Sequence, residues 1–229
     1  MKYRQEWKYI CDDYSLCKIE NKLNRIMIRD SHADDNGFYA VHSLYFDDYY
    51  NSCAFDNDMG YGKRYKWRIR YYNDDCSSLF LEKKEKLNNL CHKKMCRLSL
   101  EEYKNIISGD IIEMIYQTEK NLLKEFCFDI STRLFTPKAI VDYYRKAYVE
   151  PISNVRITID RNLCGSLDMD GFLSRDYLRV PLIENGDSVF EIKFDDILPD
   201  YIKWSAYNNT LQQMTFSKYY LCRSTLERN

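Results

Sequence analysis

Four cations fall at every second position of the stretch YGKRYKWRIRYY, Tyr61 to Tyr72: Arg64, Lys66, Arg68 and Arg70. Tyr65, Trp67, Ile69 and Tyr71 fill the alternate positions. Successive side chains of a strand point to opposite faces, so the segment presents one cationic face and one apolar face. Like charges at that spacing repel unless something negative lies among them. Arginine offers planar forks to phosphate oxygens and lysine a compact point charge, so the row suits a ligand with several adjacent negative charges. Triphosphate and polyphosphate fit best.

The same parity recurs along the chain. KYRQEWKYI sets Lys2, Arg4, Glu6 and Lys8 against Tyr3, Trp7 and Tyr9. LFLEKKEK sets Glu82, Lys84 and Lys86, with Phe80, against Leu79 and Leu81. VDYYRKAYV groups Val141, Tyr143 and Arg145, and VRITID sets Arg156, Thr158 and Asp160 against Val155, Ile157 and Ile159. VFEIKF sets Glu191 and Lys193 against Phe190, Ile192 and Phe194, and FYAVHSLYFDD is a further strand with weaker alternation. For any one strand, the ordinary reading is a polar face turned to water. These polar faces, however, are mostly Arg, Lys and Glu rather than Ser, Thr and Asn. A closed antiparallel barrel gathers such faces into one charged lumen and leaves the apolar faces for helices to cover. The carboxylates Glu6, Glu82 and Glu191 would offset lumen charge. They are also oxygen ligands suited to Mg²⁺ or Mn²⁺, and each reads equally well as a plain ion-pair partner.

Helices are available for the cover. SLCKIENKLNRIMI has Leu16, Ile19, Leu23 and Ile26 at helical spacing; SLEEYKNII opens with the capping pair Ser99 and Glu102. DIIEMIYQTEKNLLKEF continues the apolar period, and DYIKWSAYNNTLQQM after Pro199 reads as a last helix or pair of helices. The expected fold is α+β: one domain over residues 1–229, a closed antiparallel barrel of about eight strands with helices outside. The 229 residues, 45% of them hydrophobic, suffice for such a core.

Composition excludes several classes. With 34 basic against 35 acidic residues, the chain lacks the basic excess of a nucleic-acid binder, so an anion site must be local. No glycine-rich phosphate loop is present, and the three histidines have no triad-like or zinc-like setting. CHKKMC, with Cys91, His92 and Cys96, lacks a second ligand pair and reads as a loop. Nine scattered cysteines suit a reducing compartment, the N-terminus has no signal-peptide pattern, and no apolar run approaches a membrane span. A cytoplasmic location is expected.

In order, RQEWKY, SLYFD, YKWRIRYY, LEKKEK, VDYYRKAY, VRITID, FEIKF and SKYY resemble the VTC domain, the catalytic domain of the vacuolar transporter chaperone complex, within the CYTH or triphosphate tunnel metalloenzyme superfamily. The resemblance runs from about Lys2 to Tyr220. It implies an eight-stranded tunnel, a divalent metal (Mn²⁺ or Mg²⁺) held by glutamate, and growth of polyphosphate from the γ-phosphate of ATP. Inorganic triphosphatase or polyphosphatase activity, or binding of polyphosphate or inositol phosphate alone, is the alternative. By the same resemblance Arg68, Arg70, Lys84 and Arg145 are the catalytic cations. Lys8, Lys94 (in preference to Lys93), Arg156, Lys193 and Lys218 bind phosphate and Glu191 holds the metal by that resemblance; strand parity adds Arg64 and Lys66 to the phosphate binders and Glu82 and Glu6 to the metal candidates. One departure stands out: Arg4 occupies the first position of the superfamily's E-x-E-x-K opening, which leaves Glu6 alone there. The expected partners are ATP and polyphosphate or triphosphate. Any coupling to a membrane would need a separate partner.

Overall fold

The alternating segment around Trp67 forms a strand because one of its faces has somewhere apolar to go. In the computed structural model, which describes residues 3–34, 36–206 and 211–227, that strand is β4 (Lys63–Tyr72). Trp67, Ile69 and Tyr71 are completely buried on its outer face. Its neighbours are β3 (Tyr39–Asp47) and β5 (Leu79–Leu87), both antiparallel to it. The remaining long strands are β1 (Arg4–Asp12), β6 (Leu90–Leu98), β7 (Thr136–Glu150), β8 (Val155–Ser166) and β10 (Asp187–Phe194). Two short ones, β2 (Ile28–Arg29) and β9 (Val180–Pro181), flank β7 and β8.

The order β7–β3–β4–β5–β6–β1–β10–β8 closes on itself, because β8 pairs back onto β7. The result is a ring of eight antiparallel strands, as the parity pattern requires. The seams are unequal. β1 pairs with β10 over eight residue pairs, from Gln5 with Phe194 to Asp12 with Asp187, but among the described residues meets β6 at two, Arg4 with Cys91 and Gln5 with Leu90.

The apolar core lies outside the ring, between strands and helices. One cluster joins the outer faces of β3, β4, β5 and β7 to α3 (Leu100–Ser108), α4 (Ile112–Gln117) and α5 (Asn121–Arg133). There Phe126 packs on Trp67 at 4.7 Å between ring centroids, and Trp67 Nε1 donates to Asp129 Oδ2 at 2.7 Å. The second cluster sets Leu16, Ile19 and Leu23 of α1 (Asp13–Ile26) against Ile157, Ile159, Phe190 and Ile192. Each large apolar side chain so buried contributes roughly 1.5–3 kcal/mol. These clusters offset a lumen that is costly to fill with charge. α1 begins where Asp12 Oδ1 accepts the Ser15 amide at 2.9 Å, and the Ser99–Glu102 capping box at α3 is formed in both directions.

Three segments depart from expectation. CHKKMC is not a loop but part of β6, drawn into a nine-pair hairpin with β5 by a turn in which Asn88 takes a φ of 55°. The run from Ile111 to Phe126 is two helices, because Thr118 turns extended and its hydroxyl takes the Lys120 amide at 3.2 Å. After Pro199 the chain forms α6 (Asp200–Ala206); residues 207–210 of the expected last helix lie outside the described residues, as does Lys2. The final helix, α7 (Lys218–Leu226), starts later, at Ser217, whose hydroxyl caps Tyr220 N at 3.2 Å. A short helix, α2 (Ser52–Asp58), precedes β4. Among the described residues no helix is long and apolar enough to cross a membrane.

Candidate active site

Inside the ring the inward parities converge. Among the described residues ten cations line one cavity, Lys8, Arg64, Lys66, Arg68, Arg70, Lys84, Lys86, Arg145, Lys193 and Lys218, against two carboxylates, Glu6 and Glu191. Its free space is about 100 Å³, and one water takes ~10–15 Å³ on the same measure, so it has room for a small chain of polar groups. β4 supplies Arg64, Lys66, Arg68 and Arg70, and β5 supplies Lys84 and Lys86. In both, successive lumen residues are two apart, which is the pleat itself.

Two fully buried carboxylates fix the arginines. Glu82 accepts from Arg68 Nε at 2.6 Å, lies 3.7 Å from Arg70 Nη1, and accepts from Lys93 Nζ at 3.0 Å. Burial pushes its carboxyl up, but Arg68, Arg70 and Lys93 outweigh burial and hold it well below the usual range. Asp160 takes Arg145 in a fork at 2.7 and 2.8 Å and Lys218 at 2.7 Å. Its carboxyl, too, is lowered, Arg145 and Lys218 overcoming the effect of burial. Tyrosines complete the positioning. Tyr45 OH receives Arg68 Nη1 at 3.0 Å, and Tyr143 OH receives Arg70 Nη2 at 3.0 Å and Arg145 Nη2 at 3.3 Å.

At the α2 and α7 end the balance is different. Among the described residues, no carboxylate forms an ion pair with Arg64, Lys66 or Lys86; Arg64 donates to the Tyr61 carbonyl, and Lys66 donates to Asn57 Oδ1 at 3.0 Å and to Ser217 Oγ. Burial, reinforced by Lys8, Lys84 and Arg64, pushes the Lys66 ammonium down to about 7. Burial likewise lowers Lys86, with Arg64 and Lys8 adding to it. A cation that loses its proton for want of a counter-charge is a site prepared for an anion.

Between these zones lie the two lining carboxylates. Glu6 receives Lys84 Nζ at 2.8 Å on both oxygens, with Lys8 at 3.2 Å and Lys193 at 3.5 Å. Burial raises its carboxyl, and Lys8 and Lys84 more than reverse this, leaving it well below the usual range. Glu6 and Glu191 flank one ammonium, Lys193 Nζ lying 3.5 Å from Glu6 and 2.8 Å from Glu191. Glu191 Oε1 is buried and accepts no well-directed hydrogen bond, although Lys193 Nζ stands 2.8 Å away. Two adjacent hard oxygen donors, one of them under-used, fit Mg²⁺ or Mn²⁺; such ions take one or two protein carboxylates and complete their shell with water and phosphate oxygens. Among the described residues, no three ligand side chains cluster, so the rest of that shell would fall to water and phosphate.

Most residues singled out in the sequence meet here, and three do not. Lys94 sits on the outer face of β6, beside Glu85 at 3.5 Å and Glu125 at 3.6 Å; Lys93 is the one turned inward, to Glu82. The hairpin register, Lys84 opposite Lys93, decides this. Arg156 has the inward parity but is engaged at the far end of the ring, by Asp30 and by Tyr39 OH at 3.2 Å. Glu82 is not among the residues that line the cavity; Arg68, Arg70 and Lys93 enclose it. Strand alternation also disperses the CHKKMC residues: His92 and Cys96 share the outer face, Cys91 the inner. The sequence reading missed Asn57, Ser217 and Phe216, which reach the cavity from α2 and the approach to α7. Asp160 and Lys86 were on the inward parity but unassigned; a buried acid opposite two cations was the missing cue.

A closed antiparallel ring with helices outside and a cation-lined lumen defines an α+β tunnel protein. Within that class the chain belongs to the VTC domain family, whose model matches residues 3–227. Among solved structures it is similar to the PH1819 protein from Pyrococcus horikoshii OT3 (14% identity, 99% of this chain and 100% of that one, TM-score 0.49). It is similar also to a candidate adenylate cyclase from Bacillus halodurans (12% identity, 89% and 86%, TM-score 0.48). No curated protein matches it.

Proposed function

We propose that this chain transfers phosphoryl groups along triphosphate and polyphosphate inside the ring, extending polyphosphate from the γ-phosphate of ATP. The observation that supports this most is the division of the lumen: Arg64, Lys66 and Lys86, with no ion-paired carboxylate among the described residues, at one end, and Glu6 and Glu191, ion-paired to lysines, beside them. Lys8 and Lys84 contact Glu6 and also crowd Lys66, so an anion on Lys66 and its neighbours abuts that carboxylate. VTC family membership favours a phosphate acceptor over water.

Phosphoryl transfer needs positioning and charge neutralisation rather than a covalent nucleophile. Glu82 and Asp160 hold Arg68 and Arg145 before substrate arrives, so little reorganisation remains for the reaction itself. Arg70, tied to Ser43 Oγ at 2.9 Å and to Tyr143, keeps its remaining donors for phosphate oxygens. Tyr143 OH already accepts from two guanidiniums, which leaves its proton to donate. Mg²⁺ or Mn²⁺ on Glu6 and Glu191 would neutralise charge on the transferring group. The test is direct: incubate the pure protein with ATP and Mn²⁺ and resolve the products. Polyphosphate is the expected product. Free phosphate alone would make the chain a hydrolase, and no turnover with retained binding would make it a polyphosphate or inositol phosphate module.

A further inference from the structure

We infer that the Thr158 hydroxyl is a further oxygen ligand of the divalent cation that Glu191 would hold. The inference rests on the metal reading above and adds a residue to it. Thr158 belongs to β8, where Ile157 and Ile159 join the outer cluster against α1 and Asp160 turns inward to Arg145 and Lys218. Alternation therefore aims Thr158 into the ring. Register sets it directly opposite Glu191 of β10. Facing residues of such a pair have Cβ atoms roughly 4.5–5.5 Å apart. The two residues are 1% and 3% exposed. Each has a buried oxygen without a well-directed hydrogen bond among the described residues, Thr158 Oγ1 and Glu191 Oε1.

A buried hydroxyl without a partner costs about 1–3 kcal/mol. Valine has the same shape and would line the wall without that cost, so the hydroxyl calls for a ligand. The neighbouring side chains do not supply one. On the far side of Thr158 from Glu191 the register places Ala147, which carries no polar side-chain atom. Along β8, Arg156 is engaged by Asp30 and Tyr39, and Asp160 by Arg145 and Lys218. Glu191, and an ion held by it, is what remains opposite the hydroxyl. A hydroxyl is a neutral hard oxygen, the kind of donor that P-loop enzymes place on Mg²⁺. It adds a ligand without adding a negative charge for the lumen cations to claim. Thr158 would take a position otherwise left to water.

The experiment titrates Mn²⁺ alone into wild type, Thr158→Val, Thr158→Ala and Thr158→Ser, and follows binding by loss of the free-ion electron paramagnetic resonance signal. Valine and alanine should weaken Mn²⁺ binding about 10- to 100-fold, the range for losing one group that supports a metal site. Serine keeps the hydroxyl and should retain wild-type affinity. Tripolyphosphate affinity measured without metal should be the same in all four proteins, which reports an intact lumen. Valine and alanine variants that bind Mn²⁺ like wild type overturn the assignment and leave the metal reading intact, the hydroxyl then serving a water only. A serine variant that loses as much as valine also overturns it, because the methyl rather than the hydroxyl is then at issue. Wild type that binds no Mn²⁺ overturns both the assignment and the metal reading.

Discussion

Replacing Glu82 by glutamine tests whether that carboxylate is the counter-charge of the arginines or a ligand for metal. The substitution keeps shape and burial while removing the one negative charge shared by Arg68, Arg70 and Lys93. Glu82 is completely buried, and breaking a buried pair from one side costs about 3–5 kcal/mol because the other charge is left uncompensated. In a chain of this size each kcal/mol lowers Tm by roughly 2–4 °C, so the variant should melt about 6–20 °C earlier. Tripolyphosphate supplies negative charge to the same lumen and should recover part of the loss, up to about 2.7 kcal/mol at a hundredfold excess over Kd. The pH dependence carries the same signature. The Glu82 carboxyl lies well below the ordinary value of about 4.3, so its contribution is complete above that value and is lost as pH falls through the lowered one. The amide in the variant cannot titrate, and that portion of acid destabilisation should vanish from it. Thermal melts at several pH values, with and without tripolyphosphate, measure all of this. A variant that melts like wild type yet loses metal-dependent turnover would refute the counter-charge argument and return Glu82 to the metal.

Glu191→Gln should do the reverse: tripolyphosphate binding persists by calorimetry, while metal-dependent turnover falls on the order of 10²–10³, the usual effect of removing one electrostatic stabiliser; Arg70→Ala should weaken binding and turnover together. Lys66, lowered to about 7, should gain a proton when an anion binds, so tripolyphosphate affinity should decline as pH rises above 7, and Lys66→Met should flatten that slope in titrations at about pH 7 to 9. In the empty protein the sign is opposite: the unfolded chain holds the Lys66 proton more tightly, so this residue's contribution to stability rises with pH above 7, and melts without ligand should show it. Tripolyphosphate at millimolar concentration should raise the wild-type Tm at low ionic strength and progressively less as salt is added, since a Debye length of about 10 Å at 0.1 M screens the approach; no rise at low salt would count against the lumen site.

The lumen was legible where alternation was strict. In YKWRIRYY every inward residue could be named, because an apolar outer face leaves only one parity for the core. β6 was not legible for the opposite reason. CHKKMC has no continuous apolar face, so its register comes from the turn at Asn88 and the ladder with β5, and Lys93 could not be told from Lys94 without them. The α2 and α7 contributions were hidden because Asn57 and Ser217 reach the cavity from a short helix and a cap, where no periodicity reports direction. The role of Glu82 depended on three cations from β4 and β6 meeting one carboxylate, which is a fact of ring closure rather than of any one segment.

The pairing of β1 with β10 also governs how the protein can be made. The first long strand finds its eight-pair partner only near the end of the chain, and until then its other neighbour, β6, offers two pairs among the described residues. Pairings across such sequence distance form late, because loop closure must precede the contacts that offset it. During synthesis the strands from β3 to β6 can pair as each hairpin emerges, with their cations turned to water. Enclosure arrives in one step with Asp187–Phe194, which also delivers Glu191 and Lys193. A chain released from the ribosome before that strand would possess every arginine of β4 and no interior in which to use them.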